Sequence, residues 1–207
     1  MSHEGYITVK QYAKFEYEDR KSLFIGEALP VSEEKDALAF IESVKKAYPD
    51  ANHHVYAYVL RENSIMRFSD DREPQGTAGL PVLDVIRKNG CANVAIVVTR
   101  YFGGTLLGTG GLVRAYTAAA LGALENAQII EYAVYSTVCM SVNYSDYGKV
   151  GTILSELDFR TDDSDFGLDI KITGRIKKSS LELLVKKITD ATSARSSVNV
   201  IKEEFDF

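Results

Sequence analysis

The stretch VAIVVTRYFGGTLLGTGGLVRAY, residues 94–116, decides the fold of this 207-residue chain. Residues 95–98 are continuously apolar and mostly β-branched, which is typical of a strand buried on both faces. Apolar residues then recur at helical spacing over 112–124. Because five glycines lie between the two patterns, the stretch predicts a buried strand, a glycine-rich loop and a helix that begins near Gly111.

The composition of this loop favours anion binding. Glycine permits positive φ and lets a ligand approach the backbone, and the first N–H groups of a helix carry a partial positive charge. Guanidinium groups at either end match phosphate or carboxylate geometry. In the alternative interpretation the glycines only form a tight connection, and the arginines pair with nearby acids such as Asp70 or Asp71. The candidate phosphate-binding residues are Arg100, Gly103, Gly104, Gly108, Gly110, Gly111 and Arg114.

The loop departs from two familiar nucleotide-binding motifs. Gly110 is followed by Gly111 and Leu112, where a Walker A loop needs a lysine and a hydroxyl residue. A dinucleotide-binding loop needs a third glycine, and Val113 stands there instead. Neither class of nucleotide-binding protein is therefore indicated.

A second dense segment, SDDREPQGTAGLP, occupies residues 69–81. Two prolines and two glycines predict a loop here, leading into a short helix over 82–88. Its acids could hold a magnesium ion against a phosphate, or they serve as turn, cap and salt-bridge residues. We assign no metal and no cofactor from the sequence. The candidates in this acidic loop are Asp70, Asp71, Glu73 and Thr77.

These two segments together closely resemble the signature of the YigZ/IMPACT family, whose members share an Impact N-terminal domain. Supporting matches are KSLFIGEA at residues 21–28 and HHVYAY at residues 53–58, which begins at His53. Two positions depart from the family pattern: Arg72 replaces a common glycine, and Val55 replaces the usual cysteine. The second change excludes a thiol nucleophile at Val55. The resemblance implies a ribosomal protein S5 domain 2-like fold for the first half.

The first half also shows an α+β pattern of its own. Residues 33–48 predict a helix with Ser32 as its N-cap and a buried stripe formed by Leu38, Ile41 and Val44. Beyond residue 129 the order becomes strand, helix, strand, strand, helix, strand, which is the split βαβ of a ferredoxin-like α/β sandwich. We therefore expect two domains, residues 1–131 and 132–207. The inner strands of the second domain lack the aromatic RNP sequence of an RNA-recognition motif.

Charge and cysteine usage limit the class of protein. The net charge is −5, and neither half is basic, which argues against a protein that coats nucleic acid nonspecifically. Two isolated cysteines, Cys91 and Cys139, have no zinc or redox spacing and suggest a reducing compartment. We find no signal sequence and no membrane-spanning segment, so we expect a cytoplasmic protein that does not bind a membrane.

Domain order and a local basic cluster indicate the classes of partner that the protein binds, but no individual partner. An S5-like domain followed by a ferredoxin-like domain is similar to the last two domains of elongation factor G, and eukaryotic IMPACT relatives act in translational control. We therefore expect a non-enzymatic regulatory protein that binds RNA, the ribosome or a phosphorylated ligand; a protein partner is not indicated. A solvated helix face would explain the local basic cluster equally well. The candidate RNA contacts are Arg175, Lys177, Lys178, Lys186 and Lys187.

The alternative is an enzyme that acts on a phosphorylated small molecule. Small-molecule kinases of the GHMP type share the S5-like fold and hold phosphates with a glycine-rich loop, although this chain lacks their serine-rich loop. His53 is a candidate acid–base residue at the start of a strand, and the competing interpretation is a polar residue that closes a hydrogen bond at the strand edge. We assign no catalytic residue from the sequence.

Overall fold

The structure, a computed structural model, describes residues 5–61 and 64–206. The chain divides into two compact units, one of Tyr6–Glu131 and one that begins at Tyr132. Each unit is α+β and has its own hydrophobic core.

The N-terminal unit is built on an antiparallel sheet in the order β2-β3-β6-β4-β5. Its short first strand lies outside this sheet, and Ile7 there bridges Cys91. The strands are β1 (Tyr6–Val9), β2 (Ala13–Asp19), β3 (Ser22–Pro30), β4 (His53–Leu60), β5 (Ile65–Ser69) and β6 (Val94–Tyr101), and the helices are α1 (Glu34–Ala47), α2 (Gly79–Lys88) and α3 (Gly108–Asn126).

The central strand β6 is buried on both faces, as the sequence predicts. Ile96 and Val98 belong to the core cluster formed with α2 and α3, whereas Ala95 and Val97 belong to the cluster formed with α1. Gly26 on β3 lets α3 lie close to the sheet, because a Cβ there would stand 2.2 Å from the Ala119 carbonyl oxygen. This layering matches the ribosomal protein S5 domain 2-like fold.

Helix α1 differs from its predicted form at both the cap and the stripe. Its N-cap is Glu33 rather than Ser32, and the Asp36 carboxylate accepts a hydrogen bond from the Glu33 N–H at 3.2 Å. Leu38 is 49% exposed. The buried face follows an i, i+3, i+4, i+7 series that starts at Ala37, one residue before Leu38. The residues on that face are Ala37, Phe40, Ile41 and Val44.

The C-terminal unit is a ferredoxin-like α/β sandwich. Its antiparallel strands lie in the order β10-β7-β9-β8, and branched apolar residues of β7 and β9 pack against both helices. The elements in chain order are β7 (Ile129–Val142), α4 (Tyr147–Glu156), β8 (Arg160–Phe166), β9 (Ile170–Lys177), α5 (Lys178–Thr192) and β10 (Val198–Asp206).

Both cysteines of the chain are free thiols. Cys91 is a buried free thiol, and burial raises its pKa to about 11; Cys139 is a half-buried free thiol. Across residues 5–61 and 64–206, no helix has the length and apolar character needed to cross a membrane.

Candidate functional site

The site begins with three side chains aligned across the sheet. Arg100 on β6 pairs in register with Phe24 on β3 and with His53 on β4. Side chains at paired positions of antiparallel strands lie on the same face. The three therefore point toward the layer that contains α2 and α3, at the end of β6 where the glycine-rich loop begins.

Arg100 forms a buried ion pair with Glu73 of the acidic loop. Its Nη1 donates to Glu73 Oε1 at 2.5 Å, and the two side chains are only 6% and 5% exposed. The Tyr116 hydroxyl on α3 donates to the same oxygen at 2.7 Å. Burial, followed by the Glu73 charge, raises the pKa of the Tyr116 hydroxyl well above its usual range. The acid is thus held between a strand and a helix.

The Arg100 nitrogens other than Nη1 have no hydrogen-bond acceptor among the described residues. The central carbon of the guanidinium, Cζ, lies over the rings of Phe24 and Phe102, at 5.3 and 5.6 Å from their centroids. Nε is buried, and no acceptor in residues 5–61 or 64–206 reaches it or Nη2. A buried donor without a partner costs about 1–3 kcal/mol, which a ligand oxygen would recover.

The acids of the acidic loop are already engaged in structural contacts. The Asp70 carboxylate accepts hydrogen bonds from the N–H groups of Gly76, Ala78 and Gly79 at 2.8–3.1 Å. Asp70 therefore caps the N-terminus of α2, although it lies nine residues before the helix begins. Thr77 Oγ1 donates to the Pro74 carbonyl at 2.6 Å. Within the described residues, no group of three or more His, Cys, Asp or Glu side chains is arranged to hold a metal ion.

Asp71 anchors the start of β4 and orients His53. Its carboxylate accepts the His54 N–H at 2.6 Å, and its carbonyl oxygen lies 2.8 Å from His53 Nδ1. Because a carbonyl only accepts, Nδ1 carries the proton, and Nε2 faces Glu73 Oε1 at 3.7 Å. The neighbouring Arg72 has φ +70°, the conformation that glycine adopts without strain, which gives a physical reason for the glycine common at this family position.

A cavity of about 490 Å³ opens beside these residues, and we call it the α3 cavity. The first turn of α3 forms one wall, and that helix has no side-chain cap and no acid in its first turn. The N–H groups that open α3 therefore receive no side-chain cap from the described residues, although such a cap usually satisfies them. Polar lining comes from Asn52, His53, Glu73, Arg100 and Thr109, and the remaining lining comes from Pro74, Phe102, Leu106, Leu107, Gly108 and Leu112.

Helix α3 begins at Gly108, one turn before the predicted start near Gly111. Gly104 and Gly108 have positive φ values of 84° and 70°. Gly103 allows a close crossing, because a Cβ there would lie 2.0 Å from the Lys21 carbonyl carbon. At Gly110 a Cβ would meet only Arg114 Nη1 at 3.6 Å, so neither conformation nor space requires glycine there.

The structure brings together only part of the predicted anion site. Arg100 and Gly108 line the cavity with His53 and Glu73. Gly103, Gly104, Gly110, Gly111 and Arg114 do not line it, and the Arg114 side chain is exposed. The alternative interpretation is correct in one respect, because Arg100 does pair with an acid of the neighbouring loop, Glu73 rather than Asp70 or Asp71.

Sequence reasoning missed Asn52, Phe102 and Tyr116. Phe102 lies two residues after Arg100, so strand periodicity places it on the same side. Tyr116 lies four residues after Leu112 and eight after Gly108, which helical periodicity places on one face. The position of Asn52 depends on the pairing of β4 with β6, and no local sequence signal indicates it.

The basic cluster of the C-terminal unit is largely matched by acids. Arg175 pairs with Asp162 at 3.0 Å and also with Asp206. Lys178 pairs with Glu203 at 2.5 Å, and Lys187 with Glu156 at 2.6 Å. Lys177 is half-buried and Lys186 is exposed. RNA contact at these five residues stays a prediction, with less unpaired positive charge than the sequence suggests.

Comparison with known proteins defines the class of this molecule. A family model described as the Impact N-terminal domain matches residues 20–124, and one described as a domain of unknown function (DUF1949) matches residues 140–195. Fold and matches together define a two-domain protein with an Impact N-terminal domain. The chain belongs to the IMPACT family, as the resemblance implied.

Individual relatives cover nearly the whole chain. The IMPACT family member YvyE of Bacillus subtilis is 34% identical over 195 residues, covering 94% of this chain and 90% of the relative. The IMPACT family member YigZ of Escherichia coli is 31% identical, with 90% and 93% covered. A solved structure titled "Crystal structure of an hypothetical protein" is 29% identical, with a TM-score of 0.60 and 96% and 98% covered.

Proposed function

We propose that the protein is a non-enzymatic regulatory protein associated with translation, and that its Impact N-terminal domain binds a phosphate-bearing ligand in the α3 cavity. One observation carries the proposal. The first turn of α3, which has no side-chain cap, lines the same cavity as buried Arg100, whose Nε and Nη2 have no acceptor within the part of the chain that the structure describes. Backbone N–H groups at a helix start and a guanidinium are the donors that phosphate prefers.

The translation role rests on domain order and on the resemblance. An S5 domain 2-like unit followed by a ferredoxin-like unit is similar to the end of elongation factor G, where both domains work on the ribosome. RNA is the partner that would bring phosphate to such a cavity. We also propose a cytoplasmic location, in keeping with the two free thiols.

Inorganic phosphate and one helix variant test the binding site. Thr109 lies in the exposed first turn of α3 and lines the cavity. Thr109→Asp should stabilise the helix by about 0.3–1 kcal/mol through the helix dipole, while its charge repels an anion. We expect phosphate to raise the melting temperature of the wild type, and to leave that of Thr109→Asp unchanged.

Thr152→Asp is the matched control for this measurement. Thr152 is exposed in the middle of α4, and the substitution adds the same charge in the other unit. Thr152→Asp should keep the phosphate-dependent shift of the wild type. Equal shifts in all three proteins would mean general stabilisation by the salt and would overturn the proposed site.

His53 supports a second candidate function, an enzyme that acts on a phosphorylated small molecule. Its Nδ1 proton is fixed by the Asp71 carbonyl, and Nε2 lies at the cavity 3.7 Å from Glu73 Oε1. An oriented imidazole beside a carboxylate is suited to general acid–base chemistry. Release of inorganic phosphate from a nucleoside monophosphate by the wild type, abolished in His53→Gln, would favour this candidate over the first.

A further inference from the structure

We propose that the α3 cavity binds a terminal nucleotide, meaning a phosphate monoester attached to a nucleoside, presented either as a free nucleoside monophosphate or as the 5′ end of an RNA. This inference rests on the proposed function, because it assumes that the cavity holds a phosphate. It adds which chemical group carries that phosphate.

The charge of the cavity favours a single phosphate group. The Arg100 charge is balanced by Glu73 at 2.5 Å, and the Arg100 side chain is 6% exposed. What remains for an anion is the partial positive charge of the α3 N-terminus and the two Arg100 nitrogens, Nε and Nη2, that have no acceptor among the described residues. This is a set of donors for one phosphate rather than a cluster of cations for a polyanion.

The depth of Arg100 favours a chain end over a phosphate inside a strand. A cavity of about 490 Å³ lies within the range of small-molecule pockets, about 300–1,000 Å³. A phosphodiester inside a strand carries a nucleotide on either side, and both would have to enter with it. A terminal phosphate reaches the buried guanidinium with only one nucleoside behind it.

Apolar side chains beside the anion donors fit a base. Phe102 and Leu106 line the cavity although 45% and 82% of their surfaces are exposed to solvent. The Phe102 ring lies near the Arg100 guanidinium, so an aromatic platform adjoins the phosphate donors. Aromatic side chains bind bases by stacking, which is worth about 1–3 kcal/mol per base.

Asn52 completes a polar edge beside that platform. Its Oδ1 accepts the Phe102 N–H at 2.8 Å, which fixes the amide and leaves its NH₂ group without an acceptor among the described residues. Asn52 lines the same cavity. A side-chain amide next to an aromatic ring can donate to a base edge or to a ribose hydroxyl.

Calorimetric titration of the full chain tests this inference with AMP, ribose 5-phosphate and adenosine. We expect AMP to bind at least about 5-fold more tightly than ribose 5-phosphate, the factor that corresponds to the lower limit of base stacking. Phe102→Leu should lower the ratio of AMP affinity to ribose 5-phosphate affinity towards one, because the stacking surface for the base is lost. Adenosine should bind more weakly than AMP, because it lacks the phosphate.

Leu106→Ser and Leu168→Ser form a matched pair of surface variants. Leu106 is 82% exposed at the cavity, and Leu168 is 101% exposed in the C-terminal unit. Neither should alter the fold, so their melting temperatures should match that of the wild type. Leu106→Ser should weaken AMP binding, and Leu168→Ser should bind AMP as the wild type does.

The affinity for an RNA decanucleotide with a 5′ phosphate, compared with that for the same RNA bearing a 5′ hydroxyl, tells whether the ligand is an RNA end or a free nucleotide. Tighter binding of the phosphorylated RNA than of AMP assigns the ligand to RNA ends, and the reverse assigns it to free nucleotides; either supports the inference. Equal affinity for AMP and ribose 5-phosphate would overturn the nucleotide inference and leave the phosphate site standing. Failure of every phosphorylated probe would overturn both.

Discussion

Arg100 joins the stability of the fold to the chemistry of the cavity. One nitrogen of its guanidinium holds the buried Glu73 carboxylate, while two others have no acceptor among the described residues. A guanidinium suits this arrangement because its donors point in several fixed directions. Lysine would concentrate its charge at one point and could not serve both sides.

The Glu73 pair gives a prediction at the residue scale. Arg100→Met should lower the free energy of unfolding by about 3–5 kcal/mol, because it leaves a buried carboxylate without its cation. Tyr116→Phe removes one hydrogen bond to the same carboxylate and should cost about 1.5–3 kcal/mol. Urea denaturation of the full chain measures both.

The double variant Arg100→Met with Glu73→Leu is the control. Replacing a buried ion pair by apolar residues is close to neutral, so the double variant should be more stable than Arg100→Met alone. The loss of stability in the double variant is compared with the losses in Arg100→Met and in Glu73→Leu measured separately. If those two losses simply add, Arg100 and Glu73 are not coupled and the buried pair has been misassigned.

At the element scale, the start of α3 can be tested with two glycines of the same turn. Gly108 has φ +70°, whereas Gly110 has an ordinary helical φ and space for a Cβ. Gly110→Ala should raise the free energy of unfolding by about 0.5–1 kcal/mol through helix propensity. Gly108→Ala should lower it by about 1–2 kcal/mol, because alanine is strained at positive φ.

The same pair distinguishes the observed helix start from the one predicted by sequence. A helix that began near Gly111 would leave Gly110 in the loop, where helix propensity gives Gly110→Ala no gain in stability, whereas the strain of alanine at the positive φ of Gly108 would remain. A Gly110→Ala variant that is no more stable than the wild type in chemical denaturation would therefore contradict a helix start at Gly108.

Element order could be predicted from the sequence, and cap positions could not. The prolines predict a start of α2 at residue 82, but the helix begins at Gly79. Pro81 therefore lies in the first turn, where the helix needs no internal N–H donor. Its cap is the distant Asp70 carboxylate. Local spacing carries no information about such a long-range hydrogen bond.

The same limit applies to the candidate site. Arg100 and His53 were identified from motifs, whereas their alignment follows from the pairing of β4 and β6. Glu73 was one of four candidates in its loop, and only the packing of that loop against β6 and α3 selects it as the Arg100 partner. Residue types were predictable, and the partners depended on the tertiary fold.

At the scale of the whole molecule, charge alone is a poor guide to where a phosphate binds. The net charge is −5, and the basic cluster of the C-terminal unit is paired with acids through Arg175, Lys178 and Lys187. Such pairs weaken the attraction of a surface for phosphate. The α3 cavity offers fewer charges, but its donors are fixed in position, and some have no partner in the described part of the chain.

Backbone amide NMR of the full chain during titration with inorganic phosphate is the most direct test of the central claim. The amide signals of Gly108 and Thr109, which line the cavity, should move and reach saturation, because these N–H groups would donate to the anion. The amides around Arg175 and Lys187 should stay in place. Unchanged signals of Gly108 and Thr109 at phosphate concentrations that stabilise the protein, or saturating shifts confined to the basic cluster, would contradict an anion site at the start of α3.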